Sequence, residues 1–455
     1  MTLNQLWHFH RQPEVVALWR RWLGPVLPWL TPVRRRGLLA VGACVIAVSD
    51  PLGKLEEWRR WLDFRPDFAG LGLMILTLTL LVWAWYALAR RFNALPTFVR
   101  RHPQLCLHGS FWAWMVLVWT TAPHSRTLRT VMVGCAVAFP LLLWRLGYML
   151  LTAQRGKMAG TAFRDHWFYL WPVWGGSNVP FGKGWDYLKS CEAPDEEGLA
   201  RSQLSAFKLF LLAALCGLGQ GVLDGLVFGE DNFYRRSAGG FTLGVGRASE
   251  WITGGEPPLV WKSWVSIYAE LFRSVLAWGS KGHVVIGYLR LGGFYVYRNT
   301  YKPLLAETVV EFWNRYYYYF KELLVHFFFF PVFTRYLKRS PRMRMGAAVF
   351  AAAFFGNWYY HVIGDPTFLQ ADWARLWQEF SPRLVYCFAL ALGIFVSMYR
   401  EQRRPKGGEP RPVLRRAVSI FGVWTFFAVI HLWSTRMPAS ALDRLKFVLG
   451  LFGLG

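Results

Sequence analysis

The chain has 455 residues, 54% of them hydrophobic and only 17% charged, and its 52 Lys plus Arg against 27 Asp plus Glu give a net charge of +25. This balance excludes a disordered chain, which is poor in apolar residues, and a collagen, since the 42 glycines follow no three-residue period. Six cysteines in so long a chain are too sparse for a small disulfide scaffold, and long uncharged runs point instead to one multi-span membrane body.

Residues 1–36 show no apolar region with the shape of a cleavable signal. They read as an interfacial basic segment, an amphipathic surface helix with Trp7, Leu18, Trp22 and Leu23 facing the interface. Residues 37–49 are apolar but short for a crossing. Residues 68–89 carry no charge, enough helix for the roughly 30 Å hydrocarbon core. They end in Trp83, Trp85, Tyr86 and then Arg90 and Arg91, the aromatic and cationic order an interface favours. Further candidate spans are 109–122, 131–152, 207–228, 345–363, 384–398, 417–433 and a short tail from Leu442. The run 259–292 is less clean, with Lys262, Glu270, Arg273, Lys281, His283 and Arg290 inside it. The predicted fold is therefore an all-α polytopic membrane protein. It has about nine to eleven transmembrane helices, with residues 37–455 forming a single multi-span domain.

Between the spans, residues 164–189 are aromatic and rich in turn formers, and predict a re-entrant or interfacial element. Residues 190–202 read as an acidic solvated loop and 406–412 as a turn. Basic residues cluster at 34–36, 90–101, 154–164, 335–344 and 400–416, which predicts that the N-terminus and these loops are cytoplasmic. The positive charge is scattered over helix ends and forms no continuous stripe, which argues against a nucleic-acid partner. The cysteines form no metal-binding spacing and read as small buried hydrophobes.

The chemistry concentrates in residues 279–365. Glu311 and Arg315 are four apart and predict an ion pair. Trp313, Tyr316, Tyr317 and Phe320 have the spacing of one helix face. Asn314, Tyr318, Lys321 and His326 add polar groups beside the apolar 327–330 run, and Pro331 predicts a kink or an end. His361 ends an almost wholly apolar run, with Asn357 and Asp365 four residues to either side, spaced to share its face. A histidine at membrane depth is costly and titrates near neutrality, which makes it a candidate for proton transfer. The alternative is a structural histidine bonded to a backbone carbonyl.

These residues resemble the membrane-bound O-acyltransferase family. Gly293–Phe294, Asn299 and Pro303 stand where the family has its first motif. Phe312, Trp313 and Arg315 match its second, Pro331 closes the aromatic segment, and His361 falls 44 residues after Tyr317, where the isolated histidine is expected. Residues 168–181 are similar to the family's Phe-Pro-x-x-x-x-Gly-Pro loop, and the resemblance covers about residues 165–365. Tyr317 departs from the usual His or Asn, Tyr360 and Val362 replace the Trp and Gly around the histidine, and His326 stands where related bacterial members carry an acid.

The resemblance implies acyl transfer from a thioester donor, such as acyl-CoA, to a hydroxyl, within a helical body around a central tunnel. His361 would be the general base, with Tyr317, Asn314 or Asn357 as hydrogen-bond donor to the developing oxyanion. Trp313, Arg315, Tyr318, Lys321, His326, Asn357, Trp358 and Asp365 are candidate substrate contacts. No bound cofactor or metal is called for. The expected setting is the inner membrane, among membrane lipid and with a periplasmic or envelope protein as partner. A transporter or channel, and a non-catalytic scaffold for an envelope acylation system, are the rival readings. Against the transporter, the sequence shows no inverted repeat.

Overall fold

A computed structural model of the chain describes residues 7–53, 65–121, 124–170, 183–237, 239–254, 259–403 and 412–454. Among these residues helices are the regular secondary structure, joined by turns and irregular segments, with one isolated antiparallel bridge between Glu192 and Phe294. The principal helices of the first half are α1 (Pro13–Trp22), α2 (Pro32–Gly53), α3 (Phe68–Arg90), α4 (Pro103–Thr120), α5 (Arg126–Gln154), α6 (Phe163–Leu170), α7 (Trp185–Ser190) and α8 (Glu196–Leu226). There follow α9 (Ala248–Gly254), α10 (Val260–Leu291), α11 (Val309–Tyr316), α12 (Tyr318–Leu324), α13 (Phe330–Arg335) and α14 (Pro341–Val349). The last are α15 (Asn357–Ile363), α16 (Trp373–Gln402), α17 (Val413–Ser434) and α18 (Ala441–Gly450). Two π-helical segments interrupt this series: π1 (Val325–Phe329) before α13 and π2 (Phe350–Gly356) before α15.

Among the described residues five helices, α3, α5, α8, α16 and α17, are long and apolar enough to cross a membrane. By this measure the protein is an all-α membrane protein. Helix α3 coincides with the uncharged run at 68–89. Asp67 starts it by accepting from Gly70 N at 3.0 Å and from Thr127 Oγ1 at 2.6 Å, and Arg90 closes it. The other expected spans are shorter, charged or divided. Helix α10 is 32 residues long but carries Lys262, Glu270, Arg273, Lys281 and Arg290. The 345–363 run is split between α14, π2 and α15. The tail from Leu442 is a ten-residue helix, about 15 Å long and too short to cross. The expected 168–181 loop begins inside α6, which runs to Leu170, and its residues from 171 on lie outside the described residues.

The described residues form two compact units. One comprises those within Met1–Phe210, Val284–Tyr297 and Tyr360–Asp372, the other those within Leu211–His283, Arg298–Tyr359 and Trp373–Gly455. In the first unit α5 is the central helix, with Leu142, Leu143 and Leu146 sealed from solvent. Helix α3 packs on it, and α4 is fixed to it where Trp114 Nε1 donates to the Met132 carbonyl at 3.0 Å. Arg145, in the middle of α5, is only 2% exposed. Helix α1 lies on α8: Val16 packs with Ala200 and Leu204, and Trp19 Nε1 donates to Gln203 Oε1 at 3.0 Å. Leu18 and Trp22 stay exposed, so α1 is amphipathic in fact.

The basic stretch 34–36 is a correction to the loop reading, since it forms the first turn of α2. Arg35 is buried against the carbonyls of Ala193 and Gly292, and Arg36 pairs with Glu192 and Asp165.

In the second unit the lower part of α10 is held by Trp264, which donates to the Leu451 carbonyl at 2.9 Å, and by Tyr268, bonded to Thr425 at 2.7 Å. Phe312 stacks on Phe427 with centroids 3.9 Å apart, joining α11 to α17. Arg247 ties the connection after α8 to α10 by pairing with Asp224, Glu230 and Glu270, and Arg273 bonds the same Asp224 at 2.7 Å.

Candidate functional site

The sequence-predicted residues divide between the units. His361 and Asp365 belong to the first, whereas Trp313, Asn314, Arg315, Tyr317, Tyr318, Lys321, His326, Asn357 and Trp358 belong to the second.

In the second unit the aromatic stretch is not one helix. Tyr317 has φ −132° and ψ 65°, which ends α11 and starts α12. The extended segment at 299–301 stabilises this break. The Asn299 carbonyl accepts from Tyr318 N at 3.0 Å, its Oδ1 from Tyr319 N at 3.3 Å, Thr300 Oγ1 donates to the Tyr316 carbonyl at 3.0 Å, and Tyr301 N donates to the Arg315 carbonyl at 2.7 Å. The backbone groups that a continuous helix would use are thereby paired across to another segment. The single helix face expected for Trp313, Tyr316, Tyr317 and Phe320 is thus interrupted. The rings still gather: Tyr317 lies 4.6 Å from Tyr316, 5.8 Å from Trp278 and 6.4 Å from both Trp313 and Phe320. Ser274 and Tyr316 share a hydrogen bond of 3.2 Å at the edge of this cluster.

The polar residues around the cluster are mostly engaged locally. Arg315 pairs with Glu311, as their spacing predicts, and also donates to the Lys302 carbonyl. Lys321 pairs with Glu322, and its ammonium lies 4.9 Å from the Tyr318 ring centroid. His326, in π1, donates from Nδ1 to the Glu322 carbonyl at 2.8 Å. Trp313 is buried and Asn314 is exposed. Pro331 neither breaks nor ends the helical run. It stands in the first turn of α13 directly after π1, where its missing amide hydrogen costs little.

The two π segments pack on each other, with Phe328 lying against Gly356 so closely that a methyl there would fall 2.8 Å from the ring. Each π segment inserts an extra residue into a helical run, a device often found at functional sites. Directly after π2, Asn357 is 0% exposed, and among the described residues neither its Oδ1 nor its Nδ2 has a hydrogen-bond partner. A buried amide without partners is rare and costly. Its neighbour Trp358 is engaged, donating to the Phe380 carbonyl at 3.4 Å.

In the first unit, His361 is half-buried on α15. Asp365 is a correction. The helix ends at Ile363, so Asp365 does not continue the face of His361. It caps the following 3-10 turn instead, accepting from Thr367 N at 3.1 Å and Thr367 Oγ1 at 2.9 Å. Asp365 also borders a small cleft lined by Met115, Val137, Ile363 and Phe368. Tyr360, next to the histidine, meets His108 edge-on at 6.2 Å and Trp144 at 6.5 Å. Sequence reasoning passed over His108 and the buried Arg145. Each had a visible signal, an imidazole or a guanidinium within or beside an apolar run. Among the described residues no three His, Cys, Asp or Glu side chains gather to hold a metal ion.

The chain matches no family model, and no curated protein matches it.

Proposed function

We propose that the protein is a membrane O-acyltransferase. It would move an acyl group, acetyl in the simplest case, from a thioester such as acyl-CoA to a hydroxyl of an envelope polysaccharide, polymer or lipid. The observation that carries this reading is the order and spacing of residues from Gly293–Phe294 through Asn299, Phe312, Trp313, Arg315 and Pro331 to His361. The buried, unpartnered amide of Asn357 supports it, because oxyanion stabilisation needs a donor not already spent on the protein.

In this mechanism the neutral His361 imidazole takes the hydroxyl proton as the alcohol oxygen attacks the thioester carbonyl carbon. The donor for the negative charge that develops on the carbonyl oxygen is the Tyr317 hydroxyl or the side-chain amide of Asn314 or Asn357. Collapse of the tetrahedral intermediate breaks the carbon–sulfur bond, and the imidazolium returns its proton to the departing thiolate. Arg315, Lys321 and Asp365 are assigned to the frame of the site, since local partners already engage them. The body is read as an inner-membrane protein of nine to eleven membrane segments, with the basic loops cytoplasmic and a tunnel between donor and acceptor.

The test is acyl transfer from labelled acetyl-CoA in membranes at matched expression. His361→Ala lowers turnover about a hundredfold or more on this reading. Wild-type turnover in that variant removes His361 from the mechanism, and proton-coupled flux in liposomes without any acylated product replaces the reading with a transporter.

A further inference from the structure

The basic stretch 335–344 of the second unit has no part in the acyl-transfer reading. It runs from the last residue of α13 through a turn at 336–340 into the first turn of α14. Among the described residues Arg335, Lys338, Arg339, Arg342 and Arg344 pair with no acid; the ion pairs of this unit lie elsewhere. Arg344 is held by stacking instead. Its guanidinium lies 4.4 Å from the Phe333 ring centroid, and its buried Nε has no hydrogen-bond partner among the described residues. The first turn of α14 holds no acid either, although a helix N-terminus favours negative charge.

This stretch meets the end of α16, a helix long and apolar enough to cross a membrane. There two guanidiniums converge on the Tyr399 ring. Arg342, from α14, lies 5.5 Å from its centroid, and Arg403, just past α16, lies 4.4 Å from it. Among the described residues Arg403 has no acid partner, and Glu401, the acid at this helix end, pairs with neither arginine. The like charges repel each other, and a ring face attracts them without cancelling their charge. An anion with several acceptor oxygens answers both arginines. Tyr399 followed by Arg400 and Arg403 is also the aromatic and cationic order of a membrane interface, which sets the turn at headgroup depth.

Apolar side chains stand out beside the charge. Phe330, Tyr336, Leu337 and Met343 are 45%, 60%, 43% and 63% exposed. Leu337 has φ +52°, a strained left-handed conformation that a leucine rarely adopts. A soluble anion leaves these side chains in water, whereas acyl chains beneath a charged headgroup cover them. We propose that the turn between α13 and α14, together with the end of α16, is a docking surface for anionic phospholipid headgroups. Arg342 and Arg403 engage a headgroup phosphate, and Arg335, Lys338 and Arg339 supply the surrounding positive surface. This surface rests on the membrane fold and is independent of the acyl-transfer reading.

The experiment uses the full chain purified in a zwitterionic detergent. Native mass spectrometry measures retention of added phosphatidylglycerol against phosphatidylcholine, with thermal unfolding as the check on folding. The variants are Arg342→Gln/Arg403→Gln and, confined to the exposed turn, Lys338→Gln/Arg339→Gln. Arg201→Gln, which removes an arginine paired with Glu197 on α8, is the control. The expected result is about a tenfold preference for phosphatidylglycerol in wild type, lowered about fivefold or more in either folded double variant and kept in the control. No preference in wild type overturns the proposal. So does a preference unchanged in both folded double variants, or one lowered as much by Arg201→Gln. Displacement of the lipid by added coenzyme A overturns it in favour of a soluble phosphate ligand.

Discussion

Gly293 shows how one residue fixes the entry to the motif region. Its φ is +87°, a region side chains rarely adopt, and a Cβ there would fall 1.8 Å from Arg35 Nη1. The bare backbone lets Arg35 reach the Ala193 carbonyl, while the Gly293 carbonyl accepts from Ala193 N at 2.8 Å. Gly293→Ala therefore costs about 1–3 kcal/mol in strain and displaced packing, read as a lower unfolding temperature. An unchanged unfolding temperature contradicts this geometry. His10 gives a second prediction at this scale. Burial first, and then Lys208, Arg11, His8 and Arg290, pull its pKa down from 6.5 to about 4. The unfolded chain thus binds the proton before the folded one does, and stability falls as pH drops from 6.5 towards 4. The loss is full below that window and absent above it, and amounts to at most about 3 kcal/mol. Unfolding temperatures at pH 7 and pH 4.5 check it, with His10→Asn expected to show the smaller difference.

Among the elements, the break between α11 and α12 decides where the aromatic side chains point. It depends on Asn299, whose side chain bonds the Tyr319 amide and whose carbonyl bonds that of Tyr318. Asn299→Ala removes the side-chain acceptor of the buried Tyr319 amide at a cost of about 1–3 kcal/mol. It also loosens Tyr317, so acyl transfer falls about tenfold or more while the protein still folds. Equal turnover in the two forms would place Tyr317 outside the chemistry. The break also marks the limit of what periodicity reveals. The 68–89 run was legible because length and lack of charge alone determine it, and Glu311–Arg315 because four-residue spacing within one helix does. The Tyr317 break was not, since its cause is a segment at 299–301 that no helical count includes. The π insertions were equally invisible, as nothing in a run such as 350–356 marks one extra residue per turn. Asp365 was misplaced because the helix ends two residues earlier, and its carboxylate caps the next turn instead.

At the scale of the whole molecule, composition and apolar runs suffice for an all-α membrane protein, but not for its span count: nine to eleven are expected, and among the described residues five helices are long and apolar enough to cross. They did not supply partners for the buried charges. Arg35, Lys208 and Arg290 meet residues between 6 and 257 positions away in the chain, and only the folded chain brings those together. The central claim is that this helical body transfers an acyl group with His361 as base. The most direct measurement is mass spectrometry of envelope glycans and lipids from cells lacking the protein and complemented with wild type or His361→Ala. The account predicts one acyl mass on a hydroxyl-bearing species, present with wild type and missing from the other two. A species restored equally by His361→Ala, or no acyl difference among the three strains, would contradict it.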